Sequence, residues 1–118
     1  MGKTVIYLFN DNDAALNAGS HVAERVRQVA AERGIGLEVY LFGPAQGALT
    51  AESNSPVRDA FKKQIAELTE AGVRVGACLN AANTAGTVAA LEKLGVSLEF
   101  ARDAFVRFGL EGAAVISF

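Results

Sequence analysis

Apolar positions along the chain follow two rhythms. Val5-Ile6-Tyr7-Leu8-Phe9 is an unbroken run of β-forming residues, the pattern of a strand covered on both faces. The polar string Asn10-Asp11-Asn12-Asp13 ends it. A helical stripe follows, with Ala15, Gly19, Val22, Ala23, Val26, Val29 and Ala30 on one face and Glu24, Arg25, Arg27 and Gln28 mostly outside. Gly34 stands where a helix stop belongs. Leu37–Phe42 reads as a second strand, halted by Gly43-Pro44. Ala45–Asn54 is rich in Ala, Gly and Ser with no sustained period, and reads as a loop that can serve as a lid or intersubunit arm.

Ser55-Pro56 supplies an N-cap and a first-turn proline for a helix whose stripe is Val57, Ala60, Phe61, Ile65 and Leu68, with Gly72 as its stop. Val73–Ala77 is a third strand ending at Cys78. Asn80–Asn83 looks turn-like, Thr84–Leu94 helical, and Gly95 closes that helix. Val96–Phe100 alternates like a half-exposed strand, Ala101–Phe108 is a brief helix, and Ala113–Phe118 is a last apolar strand. The order β-α-β-α-β-α-β-α-β implies a three-layer α/β/α sandwich around a mostly parallel five-stranded sheet.

Composition narrows the functional classes. The 118 residues suit one domain over positions 1–118, with enough apolar content (51%) for a core that needs no staples. Eleven Lys and Arg against thirteen Asp and Glu give a net charge of -2 with no basic run, so nucleic acid is not an expected partner. No apolar stretch reaches the ~20 residues of a membrane span, and Met1–Ile6 carries neither a secretory nor a myristoylation signal. The expected setting is cytoplasmic and reducing, with no membrane association. One Cys and one His leave no basis for a disulfide framework, a CxxC pair or a Cys/His metal site, and no metal or cofactor is expected.

In open parallel sheets, ligands sit at the carboxyl ends of strands. Of the ends at Asn10, Gly43 and Cys78, only the last offers a nucleophile. Free N–H groups at a helix start just beyond Cys78 would favour a thiolate able to carry a persulfide; the same residue also fits a small core position. No Arg follows Cys78 until Arg102, which excludes the short Arg-terminated anion loop of a rhodanese or tyrosine phosphatase. His21 falls beside the helical stripe, as a solvated or interface residue. Asp11 and Asp13 suit helix caps. No glycine-rich phosphate fingerprint follows the first strand. Phe100, Phe105, Phe108 and Phe118 suit core packing, a subunit interface, or both.

With these features in place, the chain resembles the DsrE/DsrF-like family, the YchN-like small α/β proteins of sulfur-relay systems. The likeness rests on Val5–Phe9 with its long helix ending at Arg33-Gly34, on Phe42-Gly43 and the loop after it, on the block Leu68–Cys78, and on the ending Glu111–Phe118. It implies a five-stranded parallel sheet, assembly into trimers or hexamers, and sulfane sulfur carried as a persulfide on Cys78 for transfer to a partner thiol. On this reading Asn80, Asn83 and Thr84 supply hydrogen bonds to the charged sulfur. The alternative is a non-catalytic oligomeric module that holds a small ligand or partner segment in a cleft near Asn10, Gly43 and Cys78. A flavodoxin-like nucleotide binder is a third, weaker reading.

Overall fold

A computed structural model describes residues 2–118. Five strands, β1 (Lys3–Leu8), β2 (Gly36–Leu41), β3 (Arg74–Cys78), β4 (Ser97–Glu99) and β5 (Ala114–Ser117), form one sheet in the order β4-β3-β2-β1-β5. Every pairing is parallel. The helices are α1 (Asp13–Ala30), α2 (Gly43–Thr50), α3 (Pro56–Glu70), α4 (Leu79–Ala85), α5 (Val88–Lys93) and α6 (Ala101–Leu110), with a 3-10 turn at Ala31–Arg33. The expected α/β architecture with its five parallel strands is the one observed.

Strand order explains how the layers are filled. From β1 to β4 each crossover steps the same way along the sheet, and right-handed crossovers then place α1 to α5 on one face. The connection from β4 to β5 runs back across the whole sheet, so the same handedness sends α6 to the opposite face. The first face is thick: Ile6, Leu8, Val39, Leu41, Val75 and Ala77 pack under Leu16, Ala23, Phe61, Ile65, Leu68 and Leu91. The second face has one helix. There Val5 and Tyr40 bury Ala104 and Phe108, and little else covers the strands.

That thin face holds its helix by charge as well as packing. Glu38, within the second strand, is 1% exposed and accepts two hydrogen bonds from the Arg107 guanidinium (3.0 and 2.7 Å). Lys3 pairs with the same carboxylate at 2.5 Å, and Arg107 also binds Glu99 at 2.8 Å and Glu111 at 3.2 Å. Burial acts to raise the Glu38 carboxyl, but the hydrogen bonds from Arg107 and Lys3 outweigh it and hold it below the usual carboxylate range. Hydrogen bonds to Glu38 and then Glu99 push the Arg107 guanidinium up from its already high value.

The chain departs from the sequence expectations chiefly in its helices. Residues 45–50 are not loop but most of helix α2, which buries Ala45, Gln46, Ala48 and Leu49. Its eight residues are too few to display a period, and Gly-Pro at its start reads equally as a turn. The expected helix Thr84–Leu94 is two helices, and the first starts directly after Cys78. Gly86 divides them: its left-handed backbone (φ 71°) lets its N–H reach Asn83 O while Thr87 N–H reaches Ala82 O at 2.9 Å, which closes α4. On α1 the buried residues include Leu16 and Ser20, whereas Val29 is exposed.

Local signals set the remaining ends. Asn12, not its acidic neighbours, caps α1 by accepting from Ala15 N–H at 2.9 Å. Ser55 Oγ accepts from Arg58 N–H at 3.1 Å, with Pro56 in the first turn of α3. The aromatic quartet divides. Phe108 is core, Phe118 packs partly against the core, and Phe100 and Phe105 are about 40% exposed.

Candidate functional site

Cys78 is the last residue of β3 and immediately precedes α4. Register places it beside Glu99 of β4, on the thinly covered face of the sheet. The thiol is free and 4% exposed, yet it borders an open cavity of about 410 Å³. Phe42 at the end of β2, Asn80 and Ala81 of α4, and Phe100, Ala101 and Arg102 at the start of α6 form the remaining walls. The cavity thus lies at the carboxyl end of the parallel sheet, roofed by the first turn of the single helix on that side.

Gln46 fixes the Cys78 peptide. The β2–β3 pairing ends at Leu41–Ala77, so Cys78 has no backbone partner on that side. Gln46 of α2, itself buried, takes the partner's role. Its Oε1 accepts from Cys78 N–H at 3.0 Å and its Nε2 donates to Cys78 O at 2.9 Å. A side-chain amide thereby extends the ladder by one residue and satisfies two buried backbone groups.

Charge around the cavity is one-sided. Arg102 is the only charged residue in its wall; the guanidinium lies 5.4 Å from the Phe100 ring centre and meets Asp103 at 3.0 Å in solvent. The neighbouring Glu99 is paired with Arg107 and Arg74 and does not line the cavity. Tyr40 hydroxyl donates to Glu99 O at 2.9 Å, and its phenol is raised, chiefly by burial. An anionic group in the cavity would meet the Asn80 amide and the Arg102 guanidinium. Spacing along the chain excluded a short Arg-terminated loop after Cys78, and the fold brings Arg102 to that cavity by another route.

Of the sequence-designated residues, the structure groups Asn80 with Cys78. Gly43 borders a separate, smaller cavity of about 120 Å³, which Ala81 also lines. Asn83 and Thr84 are exposed on α4 and do not line the Cys78 cavity, and Asn10 is exposed beyond β1. His21 is exposed on α1. Gln46, Phe42 and Arg102 carry no sequence signal of their own. The nearest hint of Gln46 is its position just after the second strand's Gly-Pro. Among the described residues no cluster of His, Cys, Asp or Glu is placed to share a metal ion, and no helix is long and apolar enough to cross a membrane.

Strand order and the parallel pairings define an open-sheet α/β protein, and solved structures of similar fold, ychN among them, share it. A conserved protein of unknown function from Bacteroides thetaiotaomicron superposes with a TM-score of 0.75 at 14% identity, over 98% of this chain and 94% of its own. A protein of unknown function from Methanobacterium thermoautotrophicum gives 0.72 at 24% identity, and the ychN protein of E. coli gives 0.69 at 18%, each over the full length of both chains. No protein-family model and no curated protein matches the sequence.

Proposed function

We propose that this protein is a DsrE/DsrF-like sulfur carrier that takes sulfane sulfur onto Cys78 as a persulfide and passes it to a partner thiol. The observation that carries this reading is the lone thiol at the inner wall of an open cavity, at the sheet edge where such folds bind ligands. In the first step the Cys78 thiolate attacks the outer sulfur of a donor persulfide. A new S–S bond forms, the donor's S–S bond breaks and the donor thiolate leaves. In the second, the acceptor's thiolate attacks the outer sulfur on Cys78 and the Cys78 thiolate departs, so no net oxidant is required. Asn80 and Arg102 border the space where the persulfide charge would develop.

Intact-protein mass spectrometry after exposure to polysulfide tests it. The expected result is a gain of about 32 Da per transferred sulfur, reversed by a small thiol and absent in Cys78→Ser. An unmodified native thiol under conditions that modify an exposed cysteine peptide would sink the proposal.

A homo-oligomer, a trimer or hexamer, is part of the same reading. All-parallel sheets are normally covered on both faces, but here α6 alone covers one. Phe9, Phe105 and Val115 are about two-fifths exposed on that side, Leu110 is 84% exposed, and all four residues of edge strand β5 are exposed. A second copy seated there would bury apolar surface and protect the strand edge. Sedimentation equilibrium should give an assembly larger than a monomer that Leu110→Asp with Val115→Lys dissociates. If Cys78→Ala assembles normally and the parent chain takes up no sulfur, the non-catalytic binding module is the correct reading.

A further inference from the structure

The thickly covered face carries a second, larger cavity remote from Cys78. It is a groove of about 460 Å³ among α2, α3 and α5, within the roughly 300–1,000 Å³ typical of small-molecule sites. Leu49 and Ile65, both core residues, reach its floor, and Ala66 and Leu94 add apolar wall. Leu94 is 43% exposed, so water now meets surface that a ligand could cover.

The groove's charge is opposite to that of the protein. The chain has a net charge of -2, yet no carboxylate lines this space and two lysines, Lys62 and Lys93, do. Neither pairs with a carboxylate among the described residues; Arg25, Arg33 and Lys63 are likewise without an ion pair there, but none of those three lines the groove. Lys62 Nζ instead donates to the Ala51 carbonyl, which holds its ammonium beside the groove with further N–H donors free.

We infer that this groove binds a medium-chain fatty carboxylate, with the chain on Leu49, Ile65, Ala66 and Leu94 and the head group between Lys62 and Lys93. The apolar floor alone would accept any hydrocarbon. Two lysines in the wall favour an anionic head, and the absence of any lining acid leaves nothing to favour a cationic one. This site does not depend on the chemistry of Cys78.

Calorimetry with decanoate below its micellar concentration, together with methyl NMR of the native protein, tests the inference. Decanoate should bind saturably, with shifts concentrated at Leu49, Ile65 and Leu94. Octanoate should bind about tenfold more weakly, because two fewer methylenes are buried. Decanol and K62Q/K93Q should each cost about tenfold, and decyltrimethylammonium should not compete. Leu94→Asp, at an exposed position, is a second variant expected to abolish binding without unfolding the chain. Affinity that ignores chain length or survives K62Q/K93Q overturns the proposal. So does a response centred on Phe9 and Phe105, or association with phosphatidylglycerol vesicles without binding of dissolved decanoate.

Discussion

Replacing Gln46 by Leu probes the link between α2 and the Cys78 peptide. The side chain is 4% exposed and makes two hydrogen bonds to one residue's backbone, at 2.9 and 3.0 Å. Leu retains the bulk and removes both partners, leaving a buried N–H and a buried C=O unpaired. Each orphaned group costs about 1–3 kcal/mol, so the gross loss is about 2–6 kcal/mol. Burying hydrocarbon in place of the amide returns about 1–2 kcal/mol, and the net cost is roughly 1–4 kcal/mol, a large share of the 5–15 kcal/mol typical of a domain. Urea unfolding of the reduced protein should show the midpoint falling at unchanged slope, and iodoacetamide should label Cys78 faster as the released strand end opens more often. Gln46→Glu keeps the acceptor for Cys78 N–H but turns an oxygen toward Cys78 O. The introduced carboxyl is therefore favoured in its protonated form in the fold. Stability of that variant should fall as pH rises above about 4.3 and level off once the carboxyl ionises in the native state. If Gln46→Leu stays within about 0.5 kcal/mol of the parent, the size of an ordinary surface change, and labelling is unaltered, the Gln46 clamp does not hold this peptide.

Other consequences follow from the same structure. Arg107→Ala removes the guanidinium from buried Glu38 and should cost about 1.5–3 kcal/mol by chemical denaturation, the worth of hydrogen bonds to a charged group. That is less than for a fully orphaned buried charge, because Lys3 still pairs with the carboxylate. Because the Glu38 carboxyl is held below the usual range, its contribution is full above about pH 4.3 and is lost as pH falls through its folded value. Acid titration of stability should therefore be shallower in Glu38→Gln than in the parent. Gly43→Ala forces a left-handed backbone (φ 62°) on an alanine whose Cβ would stand 2.5 Å from the Phe9 ring. A loss of at least about 1–2 kcal/mol in thermal or urea unfolding is expected.

The order of elements was legible because each long segment declares itself. The run Val5–Phe9 and the Ser55-Pro56 cap with its Phe61, Ile65, Leu68 stripe are local patterns, readable within a dozen residues. Short helices were not. Eight residues of α2 make barely two turns, and Gly86 inside an otherwise helical stretch weighs little until its hydrogen bonds are seen. The site was legible to the same depth. Cys78 and Asn80 are near neighbours in the chain and on one wall of the cavity, whereas Asn83 and Thr84 follow the turn of α4 out into solvent.

By itself, then, the chain determined the alternation of strands and helices, the parallel sheet and the placement of its one thiol at a strand end, because these depend on residues adjacent or periodic in sequence. Only tertiary structure decided which charges are buried, which side of the sheet is left thin, that Gln46 bonds the Cys78 peptide, and that Arg102 lines the same cavity as Cys78. Those outcomes depend on crossover handedness and strand order, which bring together residues far apart in the chain.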